Sequence, residues 1–158
     1  MTAPTLTART TPGGIKLGDG FSSKIAFALD SNIELYEIEV QPPGIDGGEA
    51  ISTTTMHNVA YRTKAPRSLI EATDSTIKAA YDPIAYTSIK AIVNRRGSIT
   101  VHFPDGSTYT FYGYLRSFVP DSMVEGTMPV ATVVIVETDE DPVAHTEVGP
   151  VLVEVTGT

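Results

Sequence analysis

Hydrophobic and polar residues alternate most regularly between residues 98 and 137, and this stretch organises the reading of the chain. Ile99, Val101 and Phe103 alternate with Ser98, Thr100 and His102, the period-2 pattern of a strand with one buried face. Pro104-Asp105-Gly106 then supplies a turn: proline pre-sets φ, aspartate bonds its own backbone, and glycine takes φ > 0. In the next strand Tyr109, Phe111 and Leu115 fall on one face, and Tyr112, Tyr114 and Phe118 on the other. A break at Pro120-Asp121-Ser122 leads to Ala131–Val136, where Val133 and Ile135 oppose Val134 and Val136. The second and third strands are thus apolar on both faces and need two covers. One is the core of the domain; the other is a helix, a second sheet or a neighbouring subunit.

Upstream, Ile25, Phe27 and Leu29 alternate inward, and Asp30-Ser31-Asn32 makes a turn. In the following strand the apolar phase starts at Ile33 and Leu35 and shifts to Tyr36, Ile38 and Val40. That one-residue slip predicts a β-bulge, with Glu34, Glu37 and Glu39 on the polar face. Residues 41–66 form a long irregular loop, opened by Pro42-Pro43-Gly44 and closed by Pro66, with a short strand expected within His57–Arg62. Loops beyond about 12–15 residues are uncommon unless they have a task. Because this one carries Pro43, Ile45, Ile51 and Met56, it is expected to cover or reach something apolar.

Residues 67–81 read as an interrupted strand, extended over Thr76–Tyr81. One helix stands out, over residues 83–96: Asp82 is a good N-cap, Pro83 fits the first helical position, and Gly97 follows the end. Ala85, Ile89, Ile92 and Val93 form its apolar stripe, and Arg95 and Arg96 suit its last turn. A last strand candidate is Val151–Val155. The expected fold is mainly β, an antiparallel β-sandwich or barrel with one packed α-helix, since no βαβ alternation is present. The expected organisation is an N-terminal arm at 1–20, one β-domain at 21–142, and a C-terminal strand or tail at 143–158.

Charge changes the picture only at the end of the chain. Of a net charge of −8, residues 1–116 contribute nothing, whereas residues 117–158 carry eight acids and no Lys or Arg. Such a surface repels nucleic acid. There is no cysteine, which removes disulfides and thiolate chemistry. No apolar run approaches the roughly 20 residues of a membrane helix, and the N-terminus lacks the apolar core of a signal peptide. No membrane role and no cofactor are expected.

Enzyme constellations are thin. His57, His102 and His145 stand in no metal-ligand spacing, no nucleophile elbow or phosphate loop is present, and Thr138–Asp141 lacks the spaced ligands and turn glycine of a calcium loop. Tyr109, Tyr112 and Tyr114, on strand positions and with Arg116 almost alone nearby, suit a core or an interface better than base stacking. The chain is therefore expected not to be an enzyme.

Three pieces in order carry a family resemblance: PPGIDGGEAISTTTMHN (42–58), YRTKAPRSLIEATD (61–74) running into AAYDP (79–83) and its helix, and ITVHFPDGSTYTFYGYLRSFVPDSMVEGTMPVATVVIV (99–136). Together they resemble the major tail tube protein of long-tailed, siphovirus-type bacteriophages. The resemblance implies a virion structural protein, assembled in the host cytoplasm, whose subunits close into hexameric rings stacked around a lumen that conducts genomic DNA. It implies that a long loop reaches a neighbouring ring, here through Pro43, Ile45, Ile51 and Met56. It also implies that strands pair between subunits, here through Tyr109, Tyr112, Tyr114, Phe118, Val134 and Val136. The implied partners are copies of the chain itself, a tape measure protein, and tail terminator and initiator proteins, with DNA passing without specific binding. No catalytic residue is implied.

Within that frame Glu34, Glu37 and Glu39 are candidate lumen acids. Two unit charges 10 Å apart in water interact by only about 0.4 kcal/mol, and physiological salt screens beyond roughly 8 Å. Acids there would not expel DNA; they would deny it the multiple phosphate contacts that make basic surfaces sticky. The competing readings are a β-sandwich module binding carbohydrate or protein, and a tail completion protein that forms a single ring.

Overall fold

A computed structural model describes residues 23–104 and 106–154. The expected arm at 1–20 lies outside the described residues. In chain order the elements are β1 (Lys24–Phe27), β2 (Tyr36–Gln41), β3 (Ile45–Asp46), β4 (Ile51–Ser52), β5 (Lys64–Ala65), β6 (Glu71–Ala72), β7 (Ser75–Ala80), α1 (Pro83–Ile92), β8 (Gly97–His102), β9 (Thr108–Pro120), β10 (Val130–Glu137), β11 (Glu140–Asp141), β12 (Thr146–Glu147) and β13 (Val151–Val153). A seven-stranded antiparallel sheet runs β1-β8-β9-β10-β7-β2, with β13 also paired to β9. The sheet curls into a half-barrel with one helix, so of the two expected architectures it is the barrel-like one.

Side chains facing the inside of the curl form one core. Ile25 and Phe27 of β1, Ile77 and Ala79 of β7, Ile99 and Val101 of β8, Phe111 and Leu115 of β9, and Val133 and Ile135 of β10 are all buried in it. Ile89 and Ile92 of α1 close it from the helix side. Each buried aliphatic or aromatic side chain of this kind contributes about 1.5–3 kcal/mol relative to exposure. The odd-numbered phase along β8 and β10 is the alternation the sequence shows.

Two bulges reset that alternation. In β2, Glu37 pairs with Ala79 and Glu39 with Lys78, so Ile38 is the extra residue. The expected bulge is present, but it lies at Ile38, inside the Tyr36–Val40 run read as one phase, and not at the Leu35–Tyr36 step; Tyr36 and Ile38 stay exposed, and of that run only Val40 packs on the core. In β9, Ser117 pairs with Val134 and Leu115 with Ile135, leaving Arg116 unpaired. The phase therefore flips after Arg116. Phe118 does not share a face with Tyr112 and Tyr114; it sits opposite buried Val133 and packs against the core, beside Tyr81 and Tyr86.

The helix starts as expected and stops early. The Asp82 carboxylate accepts the Ile84 N–H at 2.9 Å, and Pro83 follows at the first helical position. The end is at Ile92, not Arg96. Asn94 takes φ 61°, and its N–H reaches the Leu115 carbonyl at 3.0 Å, so β9 pulls the chain out of the helix. Arg95 and Arg96 lie beyond the helix, and Lys90 is the base in its last turn. No strand forms within His57–Arg62; that segment is a turn, and the short strands flank it at Ile51–Ser52 and Lys64–Ala65.

Candidate assembly surfaces

The long loop is a built arm. It leaves the sheet at the end of β2 and returns at the start of β7, and both ends are tied together. Ser75 Oγ donates to the Gln41 carbonyl at 2.7 Å, Gly44 N–H donates to Thr73 Oγ1 at 2.8 Å, and Thr73 N–H donates to the Gly44 carbonyl at 2.9 Å. Farther out, β3 pairs with β6, and β4 with β5. At the tip Thr53 N–H reaches the Thr63 carbonyl at 3.0 Å, while Asn58 accepts Thr55 N–H at 2.7 Å and donates to the Tyr61 carbonyl at 2.9 Å. These bonds occupy the polar groups and turn apolar side chains outward. Met56 and Val59 are fully exposed, and Tyr61, Leu69 and Ile45 nearly so.

Of the loop residues singled out in the sequence, Ile45, Ile51 and Met56 are exposed along this arm, whereas Pro43 is buried at its root. Sequence reasoning missed Val59, Tyr61, Leu69 and Ile70. Their signal is an apolar residue in a segment with no period, where nothing inside the chain can cover it.

A second apolar surface lies at the other end of the same strands. The register sets Gln41 against Thr76 at the arm end, and Tyr36 against Ala80 and Val130 against Ala80 at the far end. The loop between β9 and β10 emerges at that far end with Met123, Val124 and Met128 exposed, next to exposed Val119 at the end of β9. It is fastened by Asp121 N–H to the Val130 carbonyl at 2.8 Å and by Thr127 Oγ1 to the Val124 carbonyl at 2.8 Å. Beside it Tyr36, Ile38, Ala80 and Met128 line an open cleft.

The candidate intersubunit residues divide between faces. Tyr109 packs on the core with Phe111, as does Phe118. Tyr112, Tyr114, Val134 and Val136 lie on the opposite face, half-buried. The candidate lumen acids divide as well. Glu34 and Glu39 are exposed, and Glu39 is paired in register with Lys78. Glu37 turns to the seam between β1 and β2, where its Oε1 accepts the Ile25 N–H at 3.0 Å.

A group of acids sits at the arm root. Both carboxylate oxygens of Glu137 are shielded and find no hydrogen-bond partner among the described residues. Burial, then the charges of Asp139 and Asp74, push its pKa up to about 8. Burial, then the charges of Glu137 and Asp139, raise the Tyr109 phenol. Asp139 Oδ2 accepts the Ala72 N–H of β6 at 3.2 Å, tying the acids to the arm. Asp141 is held below the usual carboxylate range by the N–H groups of Val143 and Ala144, with the Tyr112 hydroxyl also donating to it at 3.3 Å. No group of three or more acids and histidines among the described residues is placed to hold a metal ion. No helix there is long and apolar enough to cross a membrane.

No protein-family model matches the chain, and neither does any curated protein. The fold does match solved structures. A chain in the tail of an empty GTA particle, refined with helical and C6 symmetry, superposes with a TM-score of 0.57 at 9% identity, over 77% of this chain and 95% of that one. A chain in the virion of a native gene transfer agent (GTA) particle gives 0.55 at 12% identity, over 77% and 95%. A chain in the six-fold symmetrised baseplate of the anti-feeding prophage gives 0.53 at 8%, over 74% and 87%. At these identities the likeness is one of fold.

Proposed function

We propose that this chain is a structural subunit of a phage-type tail, and within it a tube subunit that forms six-membered rings stacked around a lumen for DNA. The observation that carries the reading is polarity: an apolar arm leaves one end of β2 and β7, and an apolar loop is exposed at the other. A surface that binds a different surface on the next copy propagates in one direction, and a rotation that closes gives a ring. The fold likeness to chains from six-fold tail assemblies supports that choice over a carbohydrate-binding module.

In this reading the half-buried face bearing Tyr112, Tyr114, Val134 and Val136 gains its cover from the adjacent subunit. Glu34 and Glu39 remain the candidate lumen acids, while Glu37 is engaged at the seam. The chain does no chemistry, works in the virion tail after assembly in the host cytoplasm, and meets tape measure, terminator and initiator proteins. DNA crosses it without being held.

Sedimentation across a concentration series tests the reading. Growth into species far larger than a dimer supports it. A mass fixed at one chain, or at a closed dimer, counts against it.

A further inference from the structure

Resting on the tube reading and deepening it, we infer that the receiving site for the arm is the β9–β10 loop of a second copy, together with the Tyr36–Ile38 edge beside it. Four observations converge. The first is position. The six residues of β7 separate the arm root from the loop, which is roughly 20 Å of strand, and the arm leaves away from its own loop. One chain therefore presents both halves of the contact to other chains and cannot satisfy itself.

The second is apolar surface. Met56, Val59 and Tyr61 project from the tip, and Met123, Val124 and Met128 line the receiving end. Contiguous exposed apolar surface of this sort marks an interaction site. Methionine suits such contacts, because its unbranched side chain adapts to the surface it meets.

The third is charge. Residues 50–70 of the arm contain Arg62, Lys64 and Arg67 and no acid, while residues 120–129 contain Asp121 and Glu125 and no base. Complementary charges set the register of an apolar contact and penalise the wrong partner surface, here another arm or another loop. Two of the eight acids in residues 117–158, Asp121 and Glu125, thus lie where a basic surface of another copy arrives.

The fourth is preorganisation. The tip is cross-tied by Thr63 N–H to Thr54 Oγ1 at 2.9 Å and by the Asn58 bonds, and the loop by its Val124 and Val130 anchors. Two surfaces already ordered lose little conformational entropy on meeting. The contact is head-to-tail, so it adds copies along one axis.

Cysteine cross-linking tests this on the full chain, which has no native cysteine. Met56→Cys combined with Met123→Cys should give, on mild oxidation, a ladder of disulfide-linked multimers extending past the dimer. Met56→Cys combined with Val151→Cys should give none. A second arm reverses charge: Arg62→Glu with Lys64→Glu should raise the concentration needed for assembly at least tenfold. Adding Ser122→Lys and Glu125→Lys to that same chain should recover most of the loss. Tubes that form without a Met56–Met123 ladder, or a ladder from the Val151 pair instead, would overturn the inferred site and leave the tube reading standing. Failure of the unmodified chain to assemble at any concentration would overturn both.

Discussion

Glu37 Oε1 accepts a hydrogen bond from the backbone N–H of Ile25 at 3.0 Å, joining two strands at opposite ends of the sheet order. β1 and β2 share no ladder, so this side chain closes a seam that the backbone leaves open. Charge-assisted bonds of this type contribute about 1.5–3 kcal/mol. Glu37→Ala should lower unfolding free energy by about 1–2 kcal/mol in urea melts, and Glu37→Gln, which keeps an acceptor, by less than half of that. No measurable loss in Glu37→Ala would show that the bond carries no weight.

Gly113 offers a second test of the curl. It faces Gly97 on β8 and Glu137 on β10, and a Cβ added there would lie 2.5 Å from the Val136 carbonyl oxygen. The obstacle is backbone, which cannot swing aside. Gly113→Ala should cost about 1–3 kcal/mol, as overpacking does, read as a lower denaturation midpoint. An unchanged midpoint would mean that β9 and β10 approach less closely than described.

The acids at the arm root give a pH dependence. Glu137 has an ordinary value of 4.5 and is pushed up to about 8 in the fold, so the folded chain keeps a proton that the unfolded chain releases. Stability from this group is complete below pH 4.5 and is lost as pH rises toward 8. Melting temperature should fall across that window, and Glu137→Gln, which cannot ionise, should flatten the fall. A variant whose profile tracks the unmodified chain would remove Glu137 as the cause.

The arm separates folding from assembly. None of its residues beyond the root belongs to the core cluster. Replacing residues 47–70 by a short Gly-Ser link between β3 and β6 should leave the unfolding free energy unchanged to within about 1 kcal/mol, as expected away from buried features. Light scattering of concentrated protein should lose its growth phase. Undiminished growth would assign stacking to some other surface.

Particular residues show how much of this was legible in the sequence. Strand β8 and the N-terminus of α1 follow from local patterns, clean alternation and Asp82-Pro83, whereas the apolar phase slip at Leu35–Tyr36 signals a bulge in β2 without placing it at Ile38. The bulge at Arg116 left no such mark, because Arg116 and Ser117 are both polar and only pairing with β10 tells which one is extra. The helix end was misread for a related reason. Val93 to Arg96 are all compatible with helix, and it is the Leu115 carbonyl, far along the chain, that draws Asn94 out. The arm's ladders are two residues long, too short for any period to register. The receiving loop was visible only as a break, since its apolar residues gain meaning from lying opposite the arm.

In the tube reading, copies of this chain join end to end and close around a hollow axis. Electron cryomicroscopy of the concentrated, purified chain tests it most directly. Hollow tubes whose end-on views have six-fold symmetry are expected, with the arm of each ring touching the β9–β10 loops of the next. Solid fibres, two-fold dimers or separate single chains would contradict the tube reading.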